Sequence, residues 1–252
     1  NVGEALGCAK QYHRSLYQKY RLNNDKVLKY KQDSIFKLSK KLWVEGIALF
    51  KSKNPNQLIS LYGLSPFTER IYQIYHEYKV MGIGDLNDVF HCVQQLKYQD
   101  KKQWDTTGTT GNKNLDDVQH QLKENQCYLE FLSVPKPLVL FISREEIKLY
   151  ELDVRKLDID LFSDAIKSRV FNKFVGSSLK LKELLFKTVN LSKYKELFIN
   201  ASGWFTQVPF QALLFSDENR NNKDYRKLDY LVKHLDIQYL FNASDLDSYN
   251  SP

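Results

Sequence analysis

From Glu4 to Tyr20 apolar residues recur at Ala5, Cys8, Tyr12, Leu16 and Tyr20. Steps of three and four residues are the helical period. Asn23 and Asn24 break the run, and Asp25 is placed to cap a second helix. That helix is predicted to extend to about Lys53, with Ile35, Leu38, Leu42 and Leu49 on one face and Phe36, Trp43, Ile47 and Phe50 on an adjoining one. Asn54-Pro55 ends it, because a residue before proline is pushed out of the helical region. Ser65-Pro66 then supplies an N-cap followed by proline at the first helical position. Phe67, Ile71, Ile74 and Tyr78 line the helix that follows. Gly82-Ile83-Gly84 turns the chain, and Asp85 caps a further helix striped by Leu86, Val89, Phe90, Val93 and Leu96. Helices arriving in pairs with short connections predict antiparallel packing, as in helical repeats of the tetratricopeptide kind, over residues 1–104.

Thr106 to Asn114, TTGTTGNKN, is small, polar and glycine-containing, so residues 105–113 form the expected linker. Beyond it the period changes. Leu115 to Leu122 reads as a short helix. Cys127 to Leu132, Leu138 to Ile142 and Ile147 to Tyr150 are three β-like segments, separated by polar turns as in a meander. Two helices follow, marked by Ile159, Phe162, Ile166 and Val170, then by Leu181, Leu184 and Leu185. Glu196 to Ile199 is a short apolar run closed by Asn200, Ser202 and Gly203, which suits a buried strand. Val208-Pro209-Phe210 opens a second apolar patch, and Pro209, lacking an N–H, belongs to a bend or a sheet edge. A loop from Asp217 to Lys227 leads to a last strand-like run, Leu231 to Phe241. The order strand, helix, helix, strand predicts an α/β domain with a partly parallel sheet. The expected fold class is therefore mixed: a helical-repeat segment, then an α/β domain over 114–252.

Composition narrows the class without naming a function. The 252 residues and 42% hydrophobic content allow a sizeable core. No run approaches the roughly 18 apolar residues of a membrane span, so no membrane partner is expected. The chain opens on Asn1 inside a helical pattern, which reads as a fragment of a longer protein. Cys8, Cys92 and Cys127 share no close spacing, which gives neither a disulfide framework nor a zinc pattern. A reducing cytoplasm is the simplest compartment. The net charge of +7 is uneven, with 12 Lys/Arg against 4 Asp/Glu in residues 1–53. A basic segment of this kind meets phosphates, an acidic protein partner, or nothing but water. Tyr12, Tyr17, Tyr20 and Tyr30 interleave with its lysines, as stacking on RNA would require, but a solvated helix face is the simpler reading.

A nucleophilic site is hard to assemble. His91-Cys92 is an adjacent His–Cys pair, yet helix neighbours diverge by about 100° and catalytic side chains must converge. Cys127 opens an apolar strand and Cys8 sits on a helical stripe, both settings for an inert thiol. Ser202 follows a strand, but a nucleophile elbow needs glycine two residues to either side, where Asn200 and Trp204 stand. Its expected part is in the turn. His234 alternates with apolar neighbours and suggests packing or surface, while His13, His76 and His120 have no ligand-spaced partners. No phosphate loop, dinucleotide fingerprint or metal-spaced pair occurs. The sequence therefore assigns no catalytic, cofactor-binding or metal-binding residue.

Several segments in succession nevertheless carry a resemblance. Leu115 to Leu122, Tyr128-Leu129-Glu130-Phe131, Leu138 to Tyr150, Glu196 to Leu214 with Val208-Pro209-Phe210-Gln211-Ala212-Leu213, and Tyr230 to Ser244 resemble the opening helix, first strand, hairpin, strand–turn–PF-x-AL signature and following hairpin of a CHAT domain. CHAT domains are caspase- and separase-related cysteine peptidases, usually found behind tetratricopeptide repeats. Asp85 to Lys102 is similar to the last repeat helix before such domains, so the likeness covers roughly residues 60–245. It implies a caspase-type mechanism, with a histidine base and a cysteine thiolate acting beside backbone oxyanion donors. In such proteins both residues follow the hairpin that ends near Ser244, and no position here matches either motif. The resemblance thus implies the N-terminal half of the domain, a missing C-terminal half with the dyad, a peptide or protein substrate, and a protein partner on the repeats. Bacterial defence is a common setting for the family. A degenerate, non-catalytic scaffold is the alternative, and the abrupt ends of the chain favour the fragment.

Overall fold

The structure, a computed structural model, describes residues 86–91, 93–94 and 113–250, apart from 134, 135 and 219. The helices expected over 4–20, 25–53 and 66–78, the linker before Lys113, and Cys8, His13, His76 and Cys92 lie outside the described residues.

Asn114 caps the first helix after the linker segment. Its side chain accepts from the backbone N–H of Asp117, whose carboxylate accepts from the N–H of Asn114. This reciprocal cap begins helix α1 (Leu115–Gln121), which buries Leu115 and Val118. Strands β1 (Gln126–Leu132), β2 (Leu138–Ser143) and β3 (Ile147–Glu151) follow, then helices α2 (Lys156–Ser168) and α3 (Phe171–Phe186). Strand β4 (Glu196–Ala201) leads through five short 3-10 turns to β5 (Asp236–Tyr239) and a final helix α4 (Leu246–Asn250).

The five strands form one mixed sheet in the order β3-β2-β1-β4-β5. β1 pairs antiparallel with β2 and parallel with β4, while β5 continues the parallel side. The expected meander and partly parallel sheet are both present. Every residue of β1 and of β2 is buried, because helices cover both faces of the sheet.

Alternation along β1 sorts its side chains. Cys127, Leu129 and Phe131 join Val139, Phe141, Leu197, Ile199 and Ile237 in the main core, beneath α2 and α3. Phe131 packs at 5.0 Å from Phe210 and 6.1 Å from Phe186, centroid to centroid. α3 is pinned there by Ser178, whose buried hydroxyl accepts from the backbone N–H of Leu214 at 2.8 Å. The opposite face carries Gln126, Tyr128, Glu130, Phe198 and Asn200. It meets α1, α4, with Tyr249 against Phe198, and the helical residues 86–91 and 93–94.

Two local expectations need correction. Ile166 and Val170 do not share the buried stripe of α2; they are exposed, and Asp158, Ile159, Phe162 and Ala165 face the core. Arg169, with φ 55°, ends α2 after Ser168, so Val170 becomes the cap of α3. Leu231 to Phe241 is not one strand. Leu231–Lys233 is a 3-10 turn that buries Leu231, and only Asp236–Tyr239 joins the sheet. The buried positions are Leu231, Leu235, Ile237 and Leu240, spaced four, two and three residues apart, so the apolar run does not keep one strand's alternation.

Candidate functional site

Open α/β sheets bind ligands outside the carboxyl ends of parallel strands, where neighbouring connections run in opposite directions. Here that place lies between β1, whose chain continues to β2 on one side, and β4, whose chain continues to β5 on the other. Ser133, Ser202 and Gly203 occupy it. Ser202 donates its hydroxyl to the carbonyl of Phe131 at 2.9 Å and accepts from the N–H of Ser133 at 3.4 Å. Its backbone N–H also reaches Phe131 O. The turn role expected of Ser202 is what the structure shows: the hydroxyl closes the β1–β4 ends and is not aimed at a base. Gly203 follows with φ +56°, and a Cβ there would meet the Ser133 side chain. Glycine is required at this crossing for both reasons.

Cys127 lies in the central strand with no exposed surface. Burial pushes its thiol far up, so it stays protonated and inert, as its position in an apolar strand implied. His120 sits on α1, where Nδ1 approaches Asp116 O at 2.6 Å. His91 is exposed on its helix. Nothing gathers these three residues into one site.

His234 was expected among apolar neighbours of a strand; it ends a turn instead, with its side chain about two-fifths exposed. Its Nε2 lies 2.5 Å from Asp229 Oδ1, and its ring stacks on Phe215 at 4.3 Å. Ser216 donates to the other oxygen of Asp229 at 2.6 Å. Burial raises the Asp229 carboxyl, but the bonds from Ser216 and His234 outweigh it and hold the group below the ordinary carboxylate range. An ionised Asp229 requires His234 Nε2 to donate. Serine, aspartate and histidine thus meet, but with the carboxylate in the middle. A hydrolytic triad needs the imidazole between the other two, so that it can take the serine proton. This arrangement fastens the 217–227 loop at its base, alongside the Leu214–Tyr230 bridge.

One constellation was not singled out from the sequence. Glu130, fully buried in β1, accepts from Tyr128 Oη at 2.5 Å and from Gln94 Nε2 at 3.4 Å. Asn200, opposite Glu130 in the parallel register, donates to Tyr128 Oη at 3.0 Å. Burial, then the Glu130 charge, pushes the Tyr128 phenol well above its ordinary value. Buried charges persist where hydrogen bonds replace lost water. The available signal was a glutamate inside the apolar run Tyr128-Leu129-Glu130-Phe131, but its partners lie 36 and 70 residues away.

Among the described residues no group of three or more His, Cys, Asp or Glu side chains could hold a metal ion. No described helix is long and apolar enough to cross a membrane. Together, fold and site define a mixed α/β domain with a five-stranded sheet and a braced turn at the carboxyl ends of its parallel strands. Comparison with protein-family models, curated proteins and solved structures returns no match.

Proposed function

We propose that residues 114–252 are the N-terminal half of a CHAT-type, caspase-like domain, and that this chain belongs to a cysteine endopeptidase. In this reading the Cys/His dyad is contributed by a segment that follows β5. The helical repeats over residues 1–104 hold a regulatory or partner protein, and the substrate is a peptide or protein. One observation carries the reading. A central β1 has an antiparallel hairpin on one side and parallel β4 and β5 on the other, and Val208-Pro209-Phe210-Gln211-Ala212-Leu213 lies in the β4–β5 connection, with Phe210 packed on Phe131 and Phe186. This order supports the resemblance through β4 and the PF-x-AL segment. The hairpin it implies over Tyr230 to Ser244 is instead the single parallel strand β5 between 3-10 turns. β5 also leaves its outer edge without a strand among the described residues, and unpaired edges are normally covered or extended.

A scaffold with no peptidase activity is the second reading. It is favoured by the chemistry of the described residues, where Cys127 is inert and the Ser216–Asp229–His234 cluster is wired for support.

The deciding experiment uses the full-length protein against a fluorogenic peptide library. Cleavage that is lost on thiol alkylation, yet kept when Cys8, Cys92 and Cys127 are all replaced, is the expected result. Cleavage that survives removal of every cysteine would end the thiol mechanism, and no cleavage with the repeat partner present would leave the scaffold. Binding of RNA by residues 1–53 would instead show affinity that falls steeply with salt.

A further inference from the structure

Gln94 occupies an unusual position. Its helix buries Val89, Phe90 and Val93, and its carboxamide reaches two separate parts of the sheet domain. Nε2 donates to Glu130 in the middle of β1 at 3.4 Å. Oε1 accepts from the backbone N–H of Ala243 at 3.1 Å, in the turn just beyond β5 and 149 residues away in sequence. The same helix accepts from the N–H of Leu115 through Asn87 Oδ1 at 3.2 Å, which fixes its other end to the start of α1.

Within the turn that Gln94 grips, the bonds are short-range. Asp245 Oδ2 accepts from the N–H groups of Phe241 and Asn242, each at 2.9 Å, and Asn242 Oδ1 accepts from Ser244. These bonds shape the turn but do not place it on the sheet. Placement comes from burial of Ala243 and Leu246, from the bond to Gln94, and from flanking bonds of the Leu240 N–H to Ile199 O at 2.9 Å and of Lys113 and Gln121 to Asp247 Oδ1 at 2.6 and 2.8 Å. Of these, Gln94 alone bonds the backbone inside the turn. Glu130, in turn, orients the carboxamide: an acceptor facing Nε2 forces Oε1 toward Ala243.

We infer that Gln94 is a positioning residue which couples the helical residues 86–91 and 93–94 to the turn Asn242–Asp245 at the carboxyl end of β5. Displacing that helix releases the turn. This region borders the place where open α/β sheets bind ligands, so a partner that moves the helix changes the geometry there. The inference goes beyond the peptidase reading and holds equally for a scaffold.

Hydrogen exchange on the full-length chain tests it. In Gln94→Ala, exchange across residues 242–246 is expected to accelerate about tenfold, the scale of one lost hydrogen bond. β4 residues 196–199 should keep wild-type protection. Gln94→Glu sets a second carboxylate against Glu130 and should accelerate the same segment. Gln94→Glu combined with Glu130→Gln restores a donor facing an acceptor and keeps an acceptor for Ala243, so protection should return. A purely structural loss would not be rescued by that exchange of partners. Unchanged protection at 242–246 in Gln94→Ala, uniform acceleration across the domain, or failure of the double variant to restore protection would each overturn the inference. If Gln94→Ala does not fold, Gln94→Met keeps the apolar stem and removes both polar atoms, with the same outcomes read from it.

Discussion

Asp158 shows how one residue sets the local structure. Its carboxylate, almost wholly buried, accepts from the backbone N–H of Arg155 at 3.0 Å and from Lys180 Nζ at 2.8 Å. It therefore caps the first turn of α2 and ties that helix to α3. Burial raises this carboxyl, but the Lys180 and Arg155 bonds prevail and hold it below its ordinary range. A folded-state value lower than the unfolded one stabilises the protein fully above the ordinary range and loses that contribution as pH falls through the folded value. Asp158→Asn is expected to cost about 1–3 kcal/mol near neutrality. The gap between wild type and variant should narrow below about pH 4. Denaturant midpoints at both pH values check this, and a gap independent of pH would show that the charge contributes nothing. The periodicity placed α2, but nothing local identified Lys180 as the partner. An ion pair between residues 22 apart forms only once both helices lie on the sheet.

At the scale of elements, β1 to β4 and the helices between them were readable because each carries a continuous apolar run or stripe. The segment between β4 and β5 was not. Its apolar residues sit in 3-10 turns whose side chains converge from irregular backbone. Phe210 is fully buried there, packed on Phe131 and Phe186, and its N–H donates to Tyr239 Oη at 3.0 Å. Phe210→Ala should destabilise the domain by roughly 3–5 kcal/mol. Phe241→Ala, at a side chain about half exposed, should change stability by no more than about 0.5 kcal/mol. Thermal or denaturant unfolding of both variants compares the two. Equal effects would mean that the PF-x-AL segment is not part of the core. Ser202 belongs to this scale as well. Its place after a strand and before glycine marked a turn in the sequence, and its bond to Phe131 O gives that turn its tertiary purpose.

For the whole molecule, β1 is the strand about which both faces are built, so its exposure should require global opening. Cys127 reports on that directly. The thiol should resist a thiol reagent in the native protein and react at the rate of global unfolding, with wild-type Cys8 and Cys92 replaced to isolate the signal. Rapid labelling of native protein would mean that β1 opens locally. What the sequence determined by itself was the change from helical to strand period after the Gly/Thr stretch, the identity of β1 to β4, and the inertness of Cys127. These follow from spacing and composition along a short window. The tertiary structure decided the strand order β3-β2-β1-β4-β5, the bonds that join Gln94 to Glu130 and Ala243, and the meeting of Ser216, Asp229 and His234. The physical reason is register: which polar groups meet depends on how distant strands and helices align, and hydrophobic period alone does not encode that alignment.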